Sequence, residues 1–146
     1  MPRNRNPNSR RRPARYWLNT ALVAIVVSVL PCAAAIKLSQ AVRYPYLAGY
    51  LAIISIATIL VYYLDKRKAQ VGAWRIPEST LHLLELAGGW PAAYVAQRAF
   101  RHKTSKTAYQ FTFWAIALLQ NLVALDYLLN WRFTRGAVQF AQSLVA

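Results

Sequence analysis

Residues 44–64 read YPYLAGYLAIISIATILVYYL, a run of 21 residues without a single charge. A helix needs about 20 predominantly apolar residues to cross the hydrocarbon core of a bilayer. Tyrosines stand at both ends of the run, as in the aromatic belts that mark the two membrane–water interfaces. The run therefore predicts a membrane-spanning helix.

Two further stretches of this kind flank the run. Residues 16–36 read YWLNTALVAIVVSVLPCAAAI and carry no charge, although Pro31 predicts a kink or a lost helical hydrogen bond. Residues 109–129 are largely apolar and include the polar residues Gln120, Asn121 and Asp126. Three such segments would leave a soluble chain of 146 residues too little polar surface to cover them. The sequence thus predicts an all-α integral membrane protein with three transmembrane helices.

The composition is basic as well as apolar. Lys and Arg number 18 against 4 Asp and Glu, a formal charge of +14, while 57% of the residues are hydrophobic. This balance excludes a disordered basic protein and favours a membrane protein beside an anionic neighbour. Residues 1–15 hold six arginines and three prolines and predict a disordered Arg-rich arm, followed by one helical membrane domain over 16–146. The single cysteine, Cys32, excludes an intrachain disulfide and a cysteine-cluster metal site.

The segment 65–108 decides the topology. Its centre, residues 79–97, is only moderately apolar and is interrupted by Gly88-Gly89-Trp90-Pro91, which makes a continuous lipid-facing helix costly. With three spans the cations divide 14 inside and 4 outside, whereas four spans give 12 and 6. We therefore expect a cytoplasmic N-terminus and, between spans two and three, a cytoplasmic interfacial or re-entrant helical hairpin. Residues 135–146 predict a short amphipathic interfacial helix.

The acid–base candidates lie in and beside this middle segment. Glu78, His82 and Glu85 are four and then three residues apart, which places them on one face of a helix. Such a face offers ligands for a divalent metal, and His102 or Asp65 offers a second group for base-and-orienter chemistry. For these residues a structural role in salt bridges and hydrogen bonds carries more weight than metal binding or catalysis. A structural metal usually has four ligands, and the chain has two histidines. His82, Glu85, His102 and Asp65 remain the catalytic candidates, with no metal and no cofactor expected.

Two further carboxylates stand near the ends of predicted spans. Asp65 is expected to pair with an arginine and so to fix the middle segment against the second span, in preference to relaying protons. The arginines in question are Arg75, Arg98 and Arg101. Asp126 is expected to be held by Arg132 or water at the outer interface, with a transport site as the alternative.

Clustered cations point to an anionic lipid surface. Each Lys or Arg near an anionic leaflet contributes on the order of 1 kcal/mol, so the arm and the loop together are enough to hold the loop against the membrane. The candidate contacts for lipid or another polyanion are Arg10, Arg11, Arg12, Arg75, Arg98, Arg101, Lys103 and Lys106. Nucleic acid is the other available polyanion, and its binding here would be nonspecific and salt-sensitive.

A series of motifs runs through the middle segment: Asp65-Lys66, Ala69, Gly72, Trp74-Arg75-Ile76-Pro77-Glu78, Leu81-His82, Gly88-Gly89-Trp90-Pro91, Arg101-His102-Lys103-Thr104 and Lys106. Together they resemble the bacterial membrane family catalogued as domain of unknown function 1294. The resemblance implies a small multi-pass protein of the bacterial inner membrane, and it brings no activity. Many members of that family carry a cold-shock domain ahead of the membrane part, where this chain has only the Arg-rich arm.

The sequence as a whole predicts a noncatalytic membrane module. Its basic arm and loop would bind anionic lipid headgroups or a protein partner, and that partner is either another membrane protein or a second copy of the chain. One alternative is a small membrane enzyme or metal-dependent protein that uses the His82, Glu85, His102 and Asp65 group. The other is nonspecific tethering of RNA to the membrane.

Overall fold

A computed structural model describes residues 13–145 of the chain. Six α-helices and one π-helical segment occupy most of that range: α1 Ala14–Leu38, α2 Tyr44–Gln70, α3 Glu78–Leu84, the π-helical segment Glu85–Gly89, α4 Trp90–Phe100, α5 Thr107–Leu128 and α6 Arg132–Val145. The described residues contain no strand, which confirms the predicted all-α class. Most of the predicted arm lies outside the described residues, and its last two residues, Ala14 and Arg15, belong to α1.

Three of the helices, α1, α2 and α5, are long and apolar enough to cross a membrane. They coincide with the three predicted spans. Large apolar side chains project from them into the surroundings, among them Leu18, Ile25, Val26, Ile53, Phe111 and Leu118. Contiguous apolar surface of this kind is rare on soluble monomers and is suited to lipid. α1 continues as one helix past Pro31.

Between α2 and α5 the chain forms a helical hairpin of α3, the π-helical segment and α4. The reversal is at Gly88, whose φ of 102° lies in the left-handed region that favours glycine. The ends of the hairpin that lie away from this reversal also approach each other, since Lys103 Nζ donates to Glu78 Oε1 at 2.6 Å. The turn predicted at Gly88-Gly89-Trp90-Pro91 is therefore present, with α4 starting at Trp90.

The tip of the hairpin reaches far along the neighbouring helices. Tyr50 of α2 donates its hydroxyl to the carbonyl of Ala87, and Gln120 of α5 donates to the carbonyls of Glu85 and Leu86 at 2.9 and 2.8 Å. Tyr50 precedes Asp65 by 15 residues, or about 22 Å along an α-helix at about 1.5 Å per residue. These side chains supply hydrogen-bond donors to backbone carbonyls at the kink, where the hairpin reverses.

The hydrophobic core lies where the hairpin packs between α2 and α5. Its largest fully buried apolar and aromatic members are Trp90, Tyr62, Tyr109, Phe113 and Leu81. Close packing at the hairpin turn depends on Gly89, because a Cβ there would lie 2.1 Å from Thr58 Oγ1 and 2.8 Å from the Leu84 carbonyl oxygen. Only a residue without a side chain lets the turn sit this close to α2.

At the other end of α5, Asp126 fixes the start of α6. Its carboxyl group accepts hydrogen bonds from the backbone N–H groups of Phe133 and Thr134 and from the Thr134 hydroxyl. This differs from the expected capture by Arg132 or water, because the chain bends through Asn130 and Trp131 in left-handed conformations and so aims the first turn of α6 at the carboxyl group. α6 starts three residues before the predicted interfacial helix.

We expect Gly89→Ala to destabilise the protein by about 1–3 kcal/mol, the usual cost of forcing extra volume into a packed site. Thr58 is fully buried and donates its hydroxyl to the Ile54 carbonyl, so it has no room to move aside. The measurement is thermal unfolding in detergent, followed by tryptophan fluorescence.

The matched control is Gly49→Ala in α2, the helix of Thr58, where a Cβ would meet no atom within 4 Å. This variant should unfold at the wild-type temperature or slightly above it. Equal effects of the two substitutions would contradict the packing described for the hairpin turn.

Candidate functional site

The four acid–base candidates form two histidine–carboxyl pairs rather than one site. His82 Nδ1 is 2.6 Å from Glu85 Oε2, and His102 Nε2 is 2.6 Å from Asp65 Oδ2. Both carboxyl groups are fully buried, whereas both imidazoles keep a small exposed fraction. Within residues 13–145 no group of three or more His, Cys, Asp or Glu side chains is placed to hold a metal ion.

The deeper pair belongs to a buried polar cluster at the centre of the hairpin contact. Oxygen Oε1 of Glu85 accepts the hydroxyls of Tyr62 from α2 and Tyr109 from α5. Gln97 of α4 donates to the Tyr62 hydroxyl at 3.0 Å, and the ring of His82 stacks on Tyr109 with centroids 4.4 Å apart. One carboxyl group thus joins α2 and α5 to the hairpin.

Helical spacing explains why His82 and Glu85 meet. They are three residues apart across the junction between α3 and the π-helical segment, so their side chains share a face. Every buried side-chain nitrogen and oxygen of the described residues has a hydrogen-bond partner. A fully satisfied polar cluster in a packed interior is a rigid structural element.

The shallower pair ties together the base of the hairpin. Asp65 accepts the backbone N–H of Ile76 at 3.0 Å in addition to the His102 imidazole, and Lys103 Nζ lies 3.7 Å from its Oδ2. From the sequence, the expected partner of Asp65 is an arginine. Arg98 instead lies over the Tyr94 ring, with its guanidinium carbon 3.4 Å from the ring centroid.

Backbone geometry explains the change of partner. Arg101 and Lys103 both have positive φ, 51° and 64°, so the chain turns sharply at the end of α4. In this turn the imidazole of His102 faces the end of α2. Asp65 therefore fixes the middle segment against the second span, as the sequence predicted, through His102.

Glu78 lies at the entrance to this region and binds two lysines. Lys103 Nζ is 2.6 Å and Lys106 Nζ 2.9 Å from its Oε1. Hydrogen bonds from Lys103 and then Lys106 lower the pKa of the Glu78 carboxyl group to about 2. Glu78 therefore stays ionised at neutral pH and offsets one of the surrounding positive charges.

An open pocket of about 520 Å³ lies beside these groups. Its lining combines cations, hydroxyls and one acid: Ala69, Arg75, Glu78, Arg101, His102, Lys103, Thr104, Ser105 and Lys106. Four lysine and arginine side chains against the single carboxylate of Glu78 make it a basic pocket. The structure thus brings together four of the residues that the sequence proposed for polyanion contact.

The remaining polyanion candidates lie elsewhere. Arg98 is held against Tyr94, outside the pocket lining. Arg10, Arg11 and Arg12 lie outside the described residues.

Sequence reasoning misses the other members of the buried cluster around Glu85. Tyr62 looked like part of an aromatic belt, and Tyr109 and Gln97 looked like ordinary members of apolar stretches. Each belongs to a different helix from Glu85, so no local spacing links them to it. The one available signal was that Gln97, a polar residue, falls on the apolar side of α4.

Comparison with known proteins places the site inside a shared segment. The family described as "Protein of unknown function (DUF1294)" matches residues 55–109, which include both histidine–carboxyl pairs and the whole basic pocket. The uncharacterized protein YsdA of Bacillus subtilis (strain 168) is 35% identical over 65 residues, which cover 44% of this chain and 73% of YsdA. No solved structure matches.

We expect Glu85→Ala to lower the free energy of unfolding by at least about 2 kcal/mol. The substitution removes the shared acceptor of two buried tyrosine hydroxyls and a largely buried imidazole. The hydroxyls of Tyr62 and Tyr109 keep their bond to each other, so one hydroxyl and the imidazole lose their partner, and each such group costs about 1–3 kcal/mol. Unfolding in a mixed detergent titration, followed by circular dichroism, measures the loss.

Glu78→Ala is the matched control, since this acid is partly exposed, Lys106 is exposed to water and Lys103 keeps Asp65 as a second partner. Its removal should cost at most about 1 kcal/mol. If both variants lost the same stability, the buried cluster would not be the element that holds the hairpin.

Proposed function

The chain belongs to the DUF1294 family, and from that premise we propose that it is a noncatalytic membrane module that binds the phosphate headgroups of anionic lipids. The observation that carries the proposal is the basic pocket at the base of the hairpin. It lies within the segment that this chain shares with its family.

The chemistry of the pocket suits a phosphate group. Arg75 offers a guanidinium, Lys106 an ammonium, and Thr104 and Ser105 offer hydroxyls. Guanidinium groups bind phosphate oxygens in pairs, and ammonium groups act on them as compact charges. The described residues give Arg75 no hydrogen bond or ion pair, so its charge is available to a ligand.

The position of the pocket suits a lipid rather than a soluble phosphate. It lies between the last turns of α2 and the start of α5, where two candidate spans end on the same side. Headgroup phosphates of a bilayer lie at this depth. Cations next to the end of a span bind anionic headgroups at about 1 kcal/mol each.

We place this side of the protein in the cytoplasm of a bacterial cell, with the protein in the inner membrane and the N-terminus on the same side. The support is the distribution of charge along the sequence, with 14 of 18 cations in residues 1–15 and 65–108 and 4 in the rest of the chain. In this arrangement the hairpin enters the membrane between the spans and returns to the cytoplasmic surface, which makes it re-entrant. The bonds from Tyr50 and Gln120 to its tip support that depth.

A small membrane enzyme is the second candidate, and one observation favours it. His102 lines the pocket while Asp65 lies behind it, bonded to Nε2. Since every buried side-chain nitrogen of the described residues has a partner and Nδ1 of His102 has none, Nδ1 is open to solvent. An imidazole oriented by a buried carboxyl group is a general-base arrangement. His82 and Glu85 are turned into the core and do not line this pocket.

We expect Arg75→Gln and Lys106→Gln each to weaken binding of short-chain phosphatidylglycerol about fivefold, the effect of losing about 1 kcal/mol. Binding is measured by native mass spectrometry of the full-length protein in a neutral detergent. Higher salt should weaken it further. Inorganic phosphate, tested in parallel, should bind more weakly than the lipid.

Arg43→Gln is the matched control, because Arg43 precedes the opposite end of α2 and stacks on Tyr46. This variant should bind the lipid like the wild type. Equal losses at positions 43, 75 and 106 would mean that the protein attracts anionic lipid through its overall charge and not through the pocket.

The proposed orientation predicts the location of the C-terminus. A reporter active only in the periplasm, fused after Ala146, should be active, because three spans carry the chain from a cytoplasmic N-terminus to the outer side. A reporter fused within the pocket loop at Ser105 should be inactive. Activity of a cytoplasmic reporter at the C-terminus would contradict the three-span arrangement.

A further inference from the structure

Helix α6 has a separate apolar face that the pocket does not involve. Its sequence is RFTRGAVQFAQSLV. At 3.6 residues per turn, one stripe is apolar and the opposite side is polar. The stripe contains Phe133, Ala137, Phe140, Ala141 and Leu144, and the polar side contains Arg132, Arg135, Gln139, Gln142 and Ser143.

The apolar stripe is largely exposed within the described residues. Phe133, Phe140 and Leu144 are 63%, 66% and 71% exposed. Burying a side chain of this size is worth about 1.5–3 kcal/mol. A stripe of three such residues is therefore a strong binding surface for an apolar partner.

The structure fixes where this surface lies. α5 has 22 residues, a length of about 33 Å at about 1.5 Å per residue, so α6 starts one membrane thickness away from the basic pocket. Asp126 caps its first turn, and the Trp131 N–H closes the preceding turn on the Asp126 carbonyl at 2.7 Å. α6 is thus attached to the end of a candidate span through a defined turn, with a tryptophan at the junction.

We propose that α6 lies along the bilayer surface on the side opposite the pocket, with its apolar stripe among the lipid acyl chains and Arg132 at the phosphates of anionic lipids. An amphipathic helix with cations on its polar side and aromatic residues on the other binds membrane surfaces in this manner. Trp131 suits the same interfacial layer.

Charge argues against a second copy of the chain as the occupant. α6 contains two arginines and no acid. A second copy packed stripe to stripe would leave the arginines on the outer, polar sides of both helices and would supply no carboxylate to them. An anionic lipid surface supplies the missing negative charge. Arg132 makes no hydrogen bond or ion pair with the rest of residues 13–145, which leaves it available to a phosphate.

This contact is independent of the proposed function of the pocket. It lies outside residues 55–109, the segment matched by the family, so it is a property of this chain's own C-terminal helix. Lipid phosphates at the pocket and α6 at the opposite surface would together fix how deeply α5 lies in the bilayer, one at each end of the helix.

The test is the accessibility of nitroxide labels on the full-length protein in vesicles of phosphatidylcholine and phosphatidylglycerol. Cys32 is exposed and is replaced first by serine. One label is then placed by Phe140→Cys on the apolar stripe, and its matched control by Gln139→Cys on the polar side. We expect the label at position 140 to be more accessible to oxygen than to a water-soluble nickel chelate. The label at position 139 should be more accessible to the chelate than to oxygen. Labels along residues 132–144 should repeat this pattern every 3.6 positions.

Two results would overturn the proposal. Equal access of the nickel chelate at 139 and 140 would place α6 in water. Dipolar broadening between labels at 140 on different molecules would assign the stripe to a second copy. Positions 139 and 140 are exposed and lie outside the core, so we expect both variants to fold. A melting temperature equal to that of the wild type verifies this for each variant.

Discussion

The carboxyl group of Glu85 is the interaction on which the rest of the structure depends. It sits in a kinked segment of a short hairpin and binds one tyrosine from each of two candidate spans. A buried carboxyl group is costly unless its hydrogen bonds are satisfied, so the hairpin has one position of low free energy between α2 and α5. The same position requires Gly89, since any side chain there would collide with Thr58.

With the tip of the hairpin fixed, the base can form the pocket. Asp65 binds both the irregular link before α3, at Ile76, and the turn after α4, at His102. Lys103 continues this chain of contacts to Glu78. The cations of the pocket are therefore displayed on a rigid frame, so little conformational entropy is lost when a ligand binds.

The architecture was predictable from the sequence to a large extent, because uncharged runs of membrane length identify helices by length and composition alone. The reversal was also predictable, from Gly88-Gly89-Trp90-Pro91. The sequence proposed eight cations as polyanion contacts and could not indicate which four of them meet in one pocket. The partners of the carboxyl groups were not predictable either. Asp65 was assigned an arginine because arginines are frequent nearby, whereas the left-handed turn at Arg101 brings His102 inward instead. Glu85 finds its tyrosines only through packing between helices that are distant in sequence.

The two histidines lie in different surroundings, and this decides which of them could act as a general base. His82 is stacked on Tyr109 and bonded to Glu85 in a cluster that lines none of the basic pocket. His102 has its carboxyl partner behind it and one nitrogen open to solvent. The proposed phosphate binding and any reaction of a bound phosphate would therefore fall on the same few residues at the base of the hairpin. The buried cluster contributes to either role by holding that base in place.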